Sequence, residues 1–221
     1  MVKWLSSILA VMVLWTGSAM AQSEEQEVVD RARITASSML GHPDYREAQA
    51  QMRRAKGVII IPSLVKGGFI IGGEGGSGVL MVRGRDGSWS SPSFVTIAAG
   101  SIGLQIGVQT AEVLFLIMTD RGLQSVMKDE FKVGADASVA VGPIGAGVAA
   151  GTTANLRADI LSFSRTQGLF GGVSFEGSLI KPRPSWNERY YGRPVSVRDI
   201  VIDRKVSAPG ADALRRAVLV N

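Results

Sequence analysis

Ala55-Lys-Gly-Val-Ile-Ile-Ile-Pro62, continued by Lys66-Gly-Gly-Phe-Ile-Ile-Gly-Gly73, is the most informative stretch of this chain. Each segment is a short apolar run bounded by Gly or Pro, a pattern typical of a buried strand. The same glycine-punctuated apolar pattern continues to Ile180. Glycines inside strands favour close approach of neighbouring backbones. The pattern therefore predicts a sheet of short, closely packed strands.

Further strands are predicted from this stretch to the C-terminal region, and one helix interrupts them. The predicted strands cover residues 58–61, 68–72, 79–83, 94–107, 112–118, 156–164, 169–180 and 195–202. Pro62 is expected to end the first strand, and Asp86-Gly87 is a strong hairpin-turn signal. The interrupting helix begins after Thr119, a suitable N-cap residue. Its apolar face is formed by Leu123, Val126, Met127 and Phe131.

Helices are predicted on both sides of this strand region. Apolar residues at helical spacing predict an amphipathic helix over residues 25–40, a second over 44–56 and a short one over 211–219. Gly41 and Pro43 separate the first two. Together these elements predict an α+β fold, in which N-terminal helices pack on a mostly antiparallel β-sheet or partly closed β-barrel, with one internal helix.

The N-terminal residues 1–21 are predicted to be a cleaved signal peptide. Lys3 gives a short positive start, residues 4–15 are almost all apolar, and small residues precede a cleavage point near Ala21. The apolar run is shorter than the ~20 residues that span a bilayer. We therefore expect a periplasmic or secreted protein.

The remaining residues, 22–221, are enough for a single domain with its own core. We expect that core at about residues 28–202, followed by a basic C-terminal tail at 203–221. From Lys181 to the end, nine Lys or Arg residues stand against four Asp or Glu residues. Such an excess either attracts acidic partners or forms a solvated polar rim, and both interpretations stay open at this point.

Residues that carry covalent or metal chemistry are scarce. The chain has one His and no Cys, and His42 is expected to be an exposed linker residue. We expect no catalytic residue, no metal site and no cofactor. Glu112 and Asp136 interrupt apolar or small-residue stretches and are the candidates for a hydrolase, although structural pairing of such carboxylates is favoured.

Gly73-x-Gly75-x-x-Gly78 matches the dinucleotide-binding fingerprint literally. That fingerprint requires a helix after the glycines, because the helix N-terminus holds the pyrophosphate. Here a predicted strand follows, so the segment is interpreted as a glycine-rich turn or bulge.

Several segments, taken in order, resemble the SYLF domain. They include Ala55-Lys-Gly-Val-Ile-Ile-Ile-Pro62, Gly67-Gly-Phe-Ile-Ile-Gly-Gly73, Gly78-Val-Leu-Met-Val-Arg83, Gly100-Ser-Ile-Gly-Leu-Gln-Ile-Gly107 and Ser164-Arg-Thr-Gln-Gly-Leu-Phe-Gly-Gly-Val-Ser174. The resemblance covers roughly residues 28–202 and implies a non-enzymatic lipid-binding domain. Eukaryotic members are associated with phosphoinositide membranes and actin-linked trafficking. The start of this chain is acidic rather than basic, so ordinary anionic phospholipid at a bacterial envelope is the expected partner.

The resemblance, together with the position of the basic residues, suggests candidate contacts. Lipid headgroups are expected to meet Arg53, Arg54, Lys56 and Lys66, and acyl chains to meet Phe69 and Phe170. No nucleic acid is expected as a partner, and the oligomeric state is left open. The alternative function is an envelope protein–protein interaction module that uses the aromatic-basic segment 186–193.

Overall fold

The computed structural model describes residues 23–68, 71–102, 107–144, 158–167 and 175–220. Within these residues, eight strands form one sheet. They are β1 Gly57–Gly68, β2 Ile71–Val82, β3 Ser93–Ile102, β4 Gly107–Ile117, β5 Phe131–Lys132, β6 Val139–Val141, β7 Ile160–Gln167 and β8 Leu179–Pro182. The described ranges also contain six α-helices. They are α1 Glu24–Leu40, α2 Arg46–Met52, α3 Asp120–Val126, α4 Pro184–Tyr191, α5 Val197–Val201 and α6 Asp212–Val218.

The strand order is β5-β8-β3-β2-β1-β4-β7-β6, and among these described strands only the β6–β7 pair is parallel. The sheet curls into a half-barrel, and α1 packs on it. The internal helix α3 lies between β4 and β5 in the chain order. The predicted α+β class, with N-terminal helices on a mostly antiparallel, partly closed sheet, is therefore confirmed.

Pro62 does not end the first strand, contrary to the sequence-based expectation. β1 continues to Gly68 across an irregularity in register between Ile60 and Ser63. Proline has no N–H to donate to a ladder, so it is tolerated in a strand only at an edge or a bulge. The bulge lets β1 continue through the proline while both neighbouring strands stay paired with it.

The glycine-rich segment between the predicted strands 68–72 and 79–83 is itself extended and belongs to the single strand β2. The close approach to β1 explains its composition. A Cβ on Gly78 would lie 2.2 Å from the Ile60 carbonyl oxygen, and one on Gly76 would lie 2.5 Å from that of Ser63. Side chains at these positions would collide with the backbone at the β1 bulge. The segment is a strand without a following helix, so it lacks the geometry of a dinucleotide fingerprint.

Both faces of the central strands are buried, which is why their sequences read as continuous apolar runs. Val58 and Ile60 of β1 face one core, which also contains the inner sides of α1, α2, α4 and α6. Ile59 and Ile61 face the other, which contains residues of α3 and α5. Because side chains alternate along a strand, a one-residue slip would exchange the two sets.

The C-terminal region differs from the prediction in one element and extends the core. Residues 195–202 were expected to be a strand, but α5 occupies this region and begins with a capping box between Ser196 and Asp199. The reciprocal hydrogen bonds of that box favour a helix start over the β-propensity of Val and Ile. The C-terminal residues 203–220 pack on the domain, since Leu214 and Val218 of α6 are fully buried against α1. The predicted helix over residues 211–219 is confirmed.

Two predicted helices are shorter than expected. The helix over residues 44–56 begins as a 3₁₀ turn, Pro43–Tyr45, and α2 ends at Met52. The internal helix α3 ends at Val126, so Phe131 does not belong to its apolar face. Phe131 instead begins β5, where it is buried and pairs with Ile180. Residues 169–174 of the predicted strand 169–180 lie outside the described residues.

Candidate functional site

The candidate site lies at the end of the sheet where β1 begins and β2 and β4 end. Gly57 pairs there with Val82 of β2 and with Ile117 of β4. Three segments bring cations to this end, namely the residues after α2, the turn after β2 and the residues after α5. We call the surface formed by these cations the basic end. Its residues are Arg53, Arg54, Lys56, Arg83, Arg85 and Arg204.

Arg83 fixes the end of α2 to the sheet. Its Nη1 donates to the carbonyl oxygen of Arg53 at 2.7 Å, and its Nη2 donates to that of Met52 at 3.1 Å. The last carbonyls of a helix lack partners within the helix and carry partial negative charge, so a guanidinium is a suitable cap. The Arg83 guanidinium also lies 4.9 Å from the centre of the Trp89 ring. Burial lowers the pKa of Arg83 below its usual value.

The other cations of the basic end differ in how far they are neutralised. Lys56 Nζ lies 2.8 Å from Oδ1 of Asp120. Arg204 contacts Ser88 through both terminal nitrogens, and its Nη1 is 3.8 Å from Asp86. By contrast, three exposed guanidinium groups make no hydrogen bond or ion pair within the described part of the chain. They belong to Arg53, Arg54 and Arg85.

Two neighbouring clefts open between these cations. The α2 cleft, of about 420 Å³, lies between residues 54–56, the turn 83–85 and Leu123 of α3. The α5 cleft, of about 630 Å³, lies between residues 82–86, Leu123 and residues 201–204. Arg83, Gly84, Arg85 and Leu123 line both clefts, so these residues form the ridge between them.

The structure brings together three of the four predicted headgroup residues. Arg53, Arg54 and Lys56 all lie at the basic end. Lys66 is ten residues further along β1, paired with Glu74 and Gln109, which places it roughly 30 Å away along the strand. One headgroup cannot contact both ends of β1. Phe69 and Phe170, the predicted acyl contacts, lie outside the described residues.

Three members of the basic end were missed from the sequence. Arg83 and Arg85 flank Gly84 before the predicted Asp86-Gly87 turn, so two arginines beside a turn were the available signal. Arg204 is 116 residues from its partner Ser88, and no local pattern links the two. Gly84 makes this contact possible, because a Cβ there would lie 2.5 Å from Nη2 of Arg204.

The two carboxylates considered for hydrolysis have structural roles. Glu112 accepts a hydrogen bond from Thr35 of α1 at 2.7 Å and another from Nε of Arg165 at 2.6 Å. Arg165 also donates to Ser38 of α1 at 2.6 Å, so the network ties α1 to β4 and β7. Asp136 accepts from the backbone N–H of Lys132 at 2.6 Å and closes a turn.

The aromatic residues and Asn187 of the segment 186–193 pack against the rest of the domain, whereas Glu188 and Arg193 are exposed. Trp186 is buried beside Phe94, with the Arg183 guanidinium 3.4 Å from its ring centre. Asn187 is buried, and its Oδ1 accepts from the backbone N–H of Phe94 at 2.9 Å. The Tyr191 hydroxyl donates to the Pro92 carbonyl oxygen at 2.6 Å. These residues anchor α4 on β3, and Trp186 is not available as an exposed interface anchor.

The basic residues of the C-terminal region are also mostly engaged within the chain. Eight of the nine Lys and Arg residues after Ile180 have an intramolecular partner. They are Lys181, Arg183, Arg189, Arg193, Arg198, Arg204, Lys205 and Arg215. Arg189, for example, binds the buried carboxylate of Glu25 through Nε at 2.7 Å. The excess charge of this region therefore serves largely to hold it to the rest of the domain.

Within the described residues, no three His, Cys, Asp or Glu side chains are grouped closely enough to hold a metal ion. The helices described in the structure include none with the length and apolar character needed to cross a bilayer.

Comparison with known proteins identifies the family. A family profile described as "Ysc84: Las17-binding protein actin regulator" matches residues 98–219. The chain belongs to the Ysc84/SYLF domain family. The resemblance inferred from the glycine-rich segments is thus confirmed. The family is associated with lipid and actin binding, and its domain is generally a non-catalytic binding domain.

Individual relatives of this SYLF domain share about a third of their residues with it. "LAS seventeen-binding protein 3" of Saccharomyces cerevisiae is 35% identical over 170 residues, which is 76% of this chain and 37% of the relative. "SH3 domain-containing YSC84-like protein 1" of Homo sapiens is 33% identical over 149 residues, which is 67% of this chain and 43% of the relative. The chain thus spans less than half the length of these curated relatives.

Proposed function

We propose that this SYLF domain is an exported, non-enzymatic protein that binds anionic phospholipid peripherally at the bacterial envelope, through the basic end. The observation that supports this most directly is the set of three unpartnered guanidinium groups of Arg53, Arg54 and Arg85 on one surface. Arginine without a carboxylate partner favours phosphate, since its planar fork matches phosphate oxygens.

The expected strength of such binding follows from the number of free cations. A Lys or Arg near an anionic membrane surface contributes about 1 kcal/mol. Three such residues contribute about 3 kcal/mol, or roughly a hundredfold in the binding constant. The attraction acts over about one Debye length, which falls from about 10 Å at 0.1 M salt to about 3 Å at 1 M. Binding of this kind is therefore reversible and sensitive to salt.

Export is the second part of the proposal and rests on residues 1–21. Their positive start, apolar middle and small residues near Ala21 have the pattern of a secretory signal. An exported SYLF domain meets the phospholipid of the envelope. The lipid association of the family supports the choice of phospholipid as the partner.

Flotation with vesicles tests the proposal. We expect the purified protein to float with phosphatidylglycerol vesicles at about 50 mM salt, to float poorly at about 500 mM salt, and not to float with phosphatidylcholine vesicles. Failure to bind anionic vesicles at the lower salt concentration would overturn the proposal.

Charge-reversal variants test the location of the surface. Arg54→Glu/Arg85→Glu should weaken vesicle binding at least about tenfold. The matched control is Lys132→Glu compared with Arg85→Glu alone, because each makes the same change in net charge at one exposed cation. The paired residues of β5, β8, β3, β2 and β1 place Lys132 at the same height along the sheet as Val65 of β1. This position is away from the basic end. Equal losses in Arg85→Glu and Lys132→Glu would show that net charge, and not the basic end, drives binding.

A further inference from the structure

The α5 cleft is amphipathic in a way that a flat charged surface is not. Its inner side is formed by Val82 and Val201, which are buried, and by the partly buried Leu123 and Ile202. Three arginines also line it. They are Arg83, Arg85 and Arg204. The volume of about 630 Å³ is within the range of small-molecule sites in proteins.

Arg204, which lines this cleft, has an unusual backbone conformation. Its φ of 53° is the only positive value among the non-glycine residues described. Bulky residues rarely adopt this left-handed region, so its presence indicates that the surrounding contacts impose it. Those contacts are with the turn after β2, where Nη2 donates to the Ser88 carbonyl oxygen at 2.8 Å. The guanidinium lies against Gly84, which has no side chain to displace it.

The charge of the cleft is positive after its internal pairs are counted. The lining contains three arginines and one carboxylate, Asp86, which lies 3.8 Å from Nη1 of Arg204. Arg83 is bound to backbone carbonyls, which do not neutralise it. Arg85 is exposed and has no partner among the described residues. A ligand that complements the cleft therefore carries an anionic group next to an apolar portion.

We infer that the α5 cleft binds a single molecule of a phosphate-headed amphiphile. The phosphate contacts Arg85 and Arg204, and the first carbons of the acyl chains lie on Leu123 and Ile202. This inference rests on the proposed function and refines it, since it separates one discrete lipid site from the general attraction of the basic end to a membrane surface. Both groups of contacts belong to the same ligand, so neither a bare phosphate nor a neutral lipid should match the whole cleft.

Calorimetric titration with a soluble short-chain lipid tests the inference. Dihexanoyl phosphatidylglycerol, kept below its critical micelle concentration, is expected to bind one molecule per chain. Glycerophosphoglycerol, which has the same headgroup without acyl chains, should bind at least about tenfold more weakly, because it buries no apolar surface. Inorganic phosphate should also bind at least about tenfold more weakly, and dihexanoyl phosphatidylcholine at least about fivefold.

Substitutions separate the two halves of the site. Arg85→Gln and Leu123→Gln should each weaken binding of dihexanoyl phosphatidylglycerol about fivefold or more. The control Leu219→Gln changes a half-exposed leucine directly after α6, which packs into the other core, and should leave binding unchanged. Thermal unfolding establishes that each variant is folded. Arg85 is exposed and makes no structural contact among the described residues, so its variant keeps the test valid even where Leu123→Gln fails to fold.

The possible outcomes distinguish the cleft from the membrane surface. Saturable binding of the short-chain lipid that Arg85→Gln weakens supports the inference. If anionic vesicles bind and the monomeric lipid does not, the cleft inference is overturned and the proposed function stands. If the headgroup or inorganic phosphate alone binds as tightly as the lipid, the cleft is a phosphate site, and the inference is again overturned. Loss of both vesicle and monomer binding overturns both.

Discussion

The guanidinium of Arg83 donates to the backbone carbonyl oxygen of Arg53 at 2.7 Å, and this contact joins the end of α2 to the sheet. The same guanidinium binds the Met52 carbonyl oxygen at 3.1 Å. The Met52 carbonyl oxygen also accepts from the backbone N–H of Ala55 at 3.3 Å, so Arg83 adds a second donor there and satisfies the carbonyl oxygen of the C-cap residue Arg53. The cations that follow α2, Arg54 and Lys56, owe their position at the basic end to this attachment.

Replacing Arg83 should destabilise the protein and displace the residues that follow α2. Arg83→Met removes both hydrogen bonds and should lower the free energy of unfolding by about 1 kcal/mol, because the Arg53 carbonyl oxygen loses its donor while that of Met52 keeps the Ala55 N–H. Urea unfolding measures the change. Arg85→Met is the matched control, since that arginine is exposed, and its effect should stay within about 0.5 kcal/mol. Equal effects of the two substitutions would show that the cap contributes nothing.

The carboxylate of Glu112 should matter for stability and not for catalysis. Glu112→Gln leaves the partly buried Arg165 without its counter-charge and should lower the free energy of unfolding by about 2 kcal/mol. This loss is smaller than the loss for a fully buried ion pair, because a third of the Arg165 side chain is exposed to solvent. In Glu112→Gln/Arg165→Met, where both charges are absent, part of the loss should return. A hydrolytic activity that disappears in Glu112→Gln while the fold is retained would contradict this assignment.

Asn187 should be essential for the attachment of α4. Its Oδ1 accepts from the Phe94 N–H at 2.9 Å, and its Nδ2 donates to Ser93 Oγ at 3.1 Å. Asn187→Ala leaves a buried backbone donor unsatisfied and should lower the free energy of unfolding by about 2–3 kcal/mol. Chemical denaturation provides the measurement. The neighbouring Glu188 is exposed, and Glu188→Ala should change stability by less than about 0.5 kcal/mol. A small effect at Asn187 would mean that water replaces its contacts.

Asp159 should make the fold sensitive to acid. Burial raises the pKa of Asp159, but hydrogen bonds from Thr119 and Ser138 and the charge of Arg121 outweigh burial, so the pKa is lowered overall from its ordinary 3.8. The Thr119 hydroxyl donates at 2.6 Å and the Ser138 hydroxyl at 2.9 Å. A lowered pKa means that the folded state favours the ionised carboxylate. The resulting stability is present above the ordinary pKa and is lost as the pH falls through the lowered one.

The acid sensitivity can be assigned to this residue by substitution. Urea midpoints measured between pH 7 and pH 2.5 should fall below about pH 4 in the native protein. Asp159→Asn should be less stable at neutral pH and should lose less of its remaining stability on acidification. An unchanged pH profile in Asp159→Asn would assign the acid dependence to other carboxylates.

Local patterns predicted most of the architecture. The helical spacing of apolar residues located α1, and short apolar runs bounded by Gly located the core of β1 and of β4. These segments were predictable because burial gives the apolar residues of a helix or of a strand a characteristic spacing in the sequence. The prediction that Pro62 ends the first strand was wrong because a β-bulge allows the strand to continue through the proline. The bulge depends on pairing with neighbouring strands, which the local sequence does not reveal.

Two other differences have equally specific causes. The β-branched residues of α5 suggested a strand, whereas the Ser196–Asp199 capping box was the stronger signal for a helix. The candidate site was only partly predictable, because Arg53, Arg54 and Lys56 are close in sequence and Arg204 is not. Its contact with Ser88 joins residues 116 positions apart, and only the folded chain brings them together.

The orientation of the bound protein tests the central claim most directly. The chain has no cysteine, so a single cysteine can carry an environment-sensitive fluorophore without competing sites. Gln124 is exposed and directly follows Leu123, which lines both clefts, and Lys132 is exposed away from the basic end. A fluorophore at Gln124→Cys should shift to the blue and be quenched by nitroxide lipids on binding phosphatidylglycerol vesicles, while one at Lys132→Cys should not respond. A response confined to Lys132→Cys, or none at either position despite binding, would contradict the claim that the basic end faces the membrane.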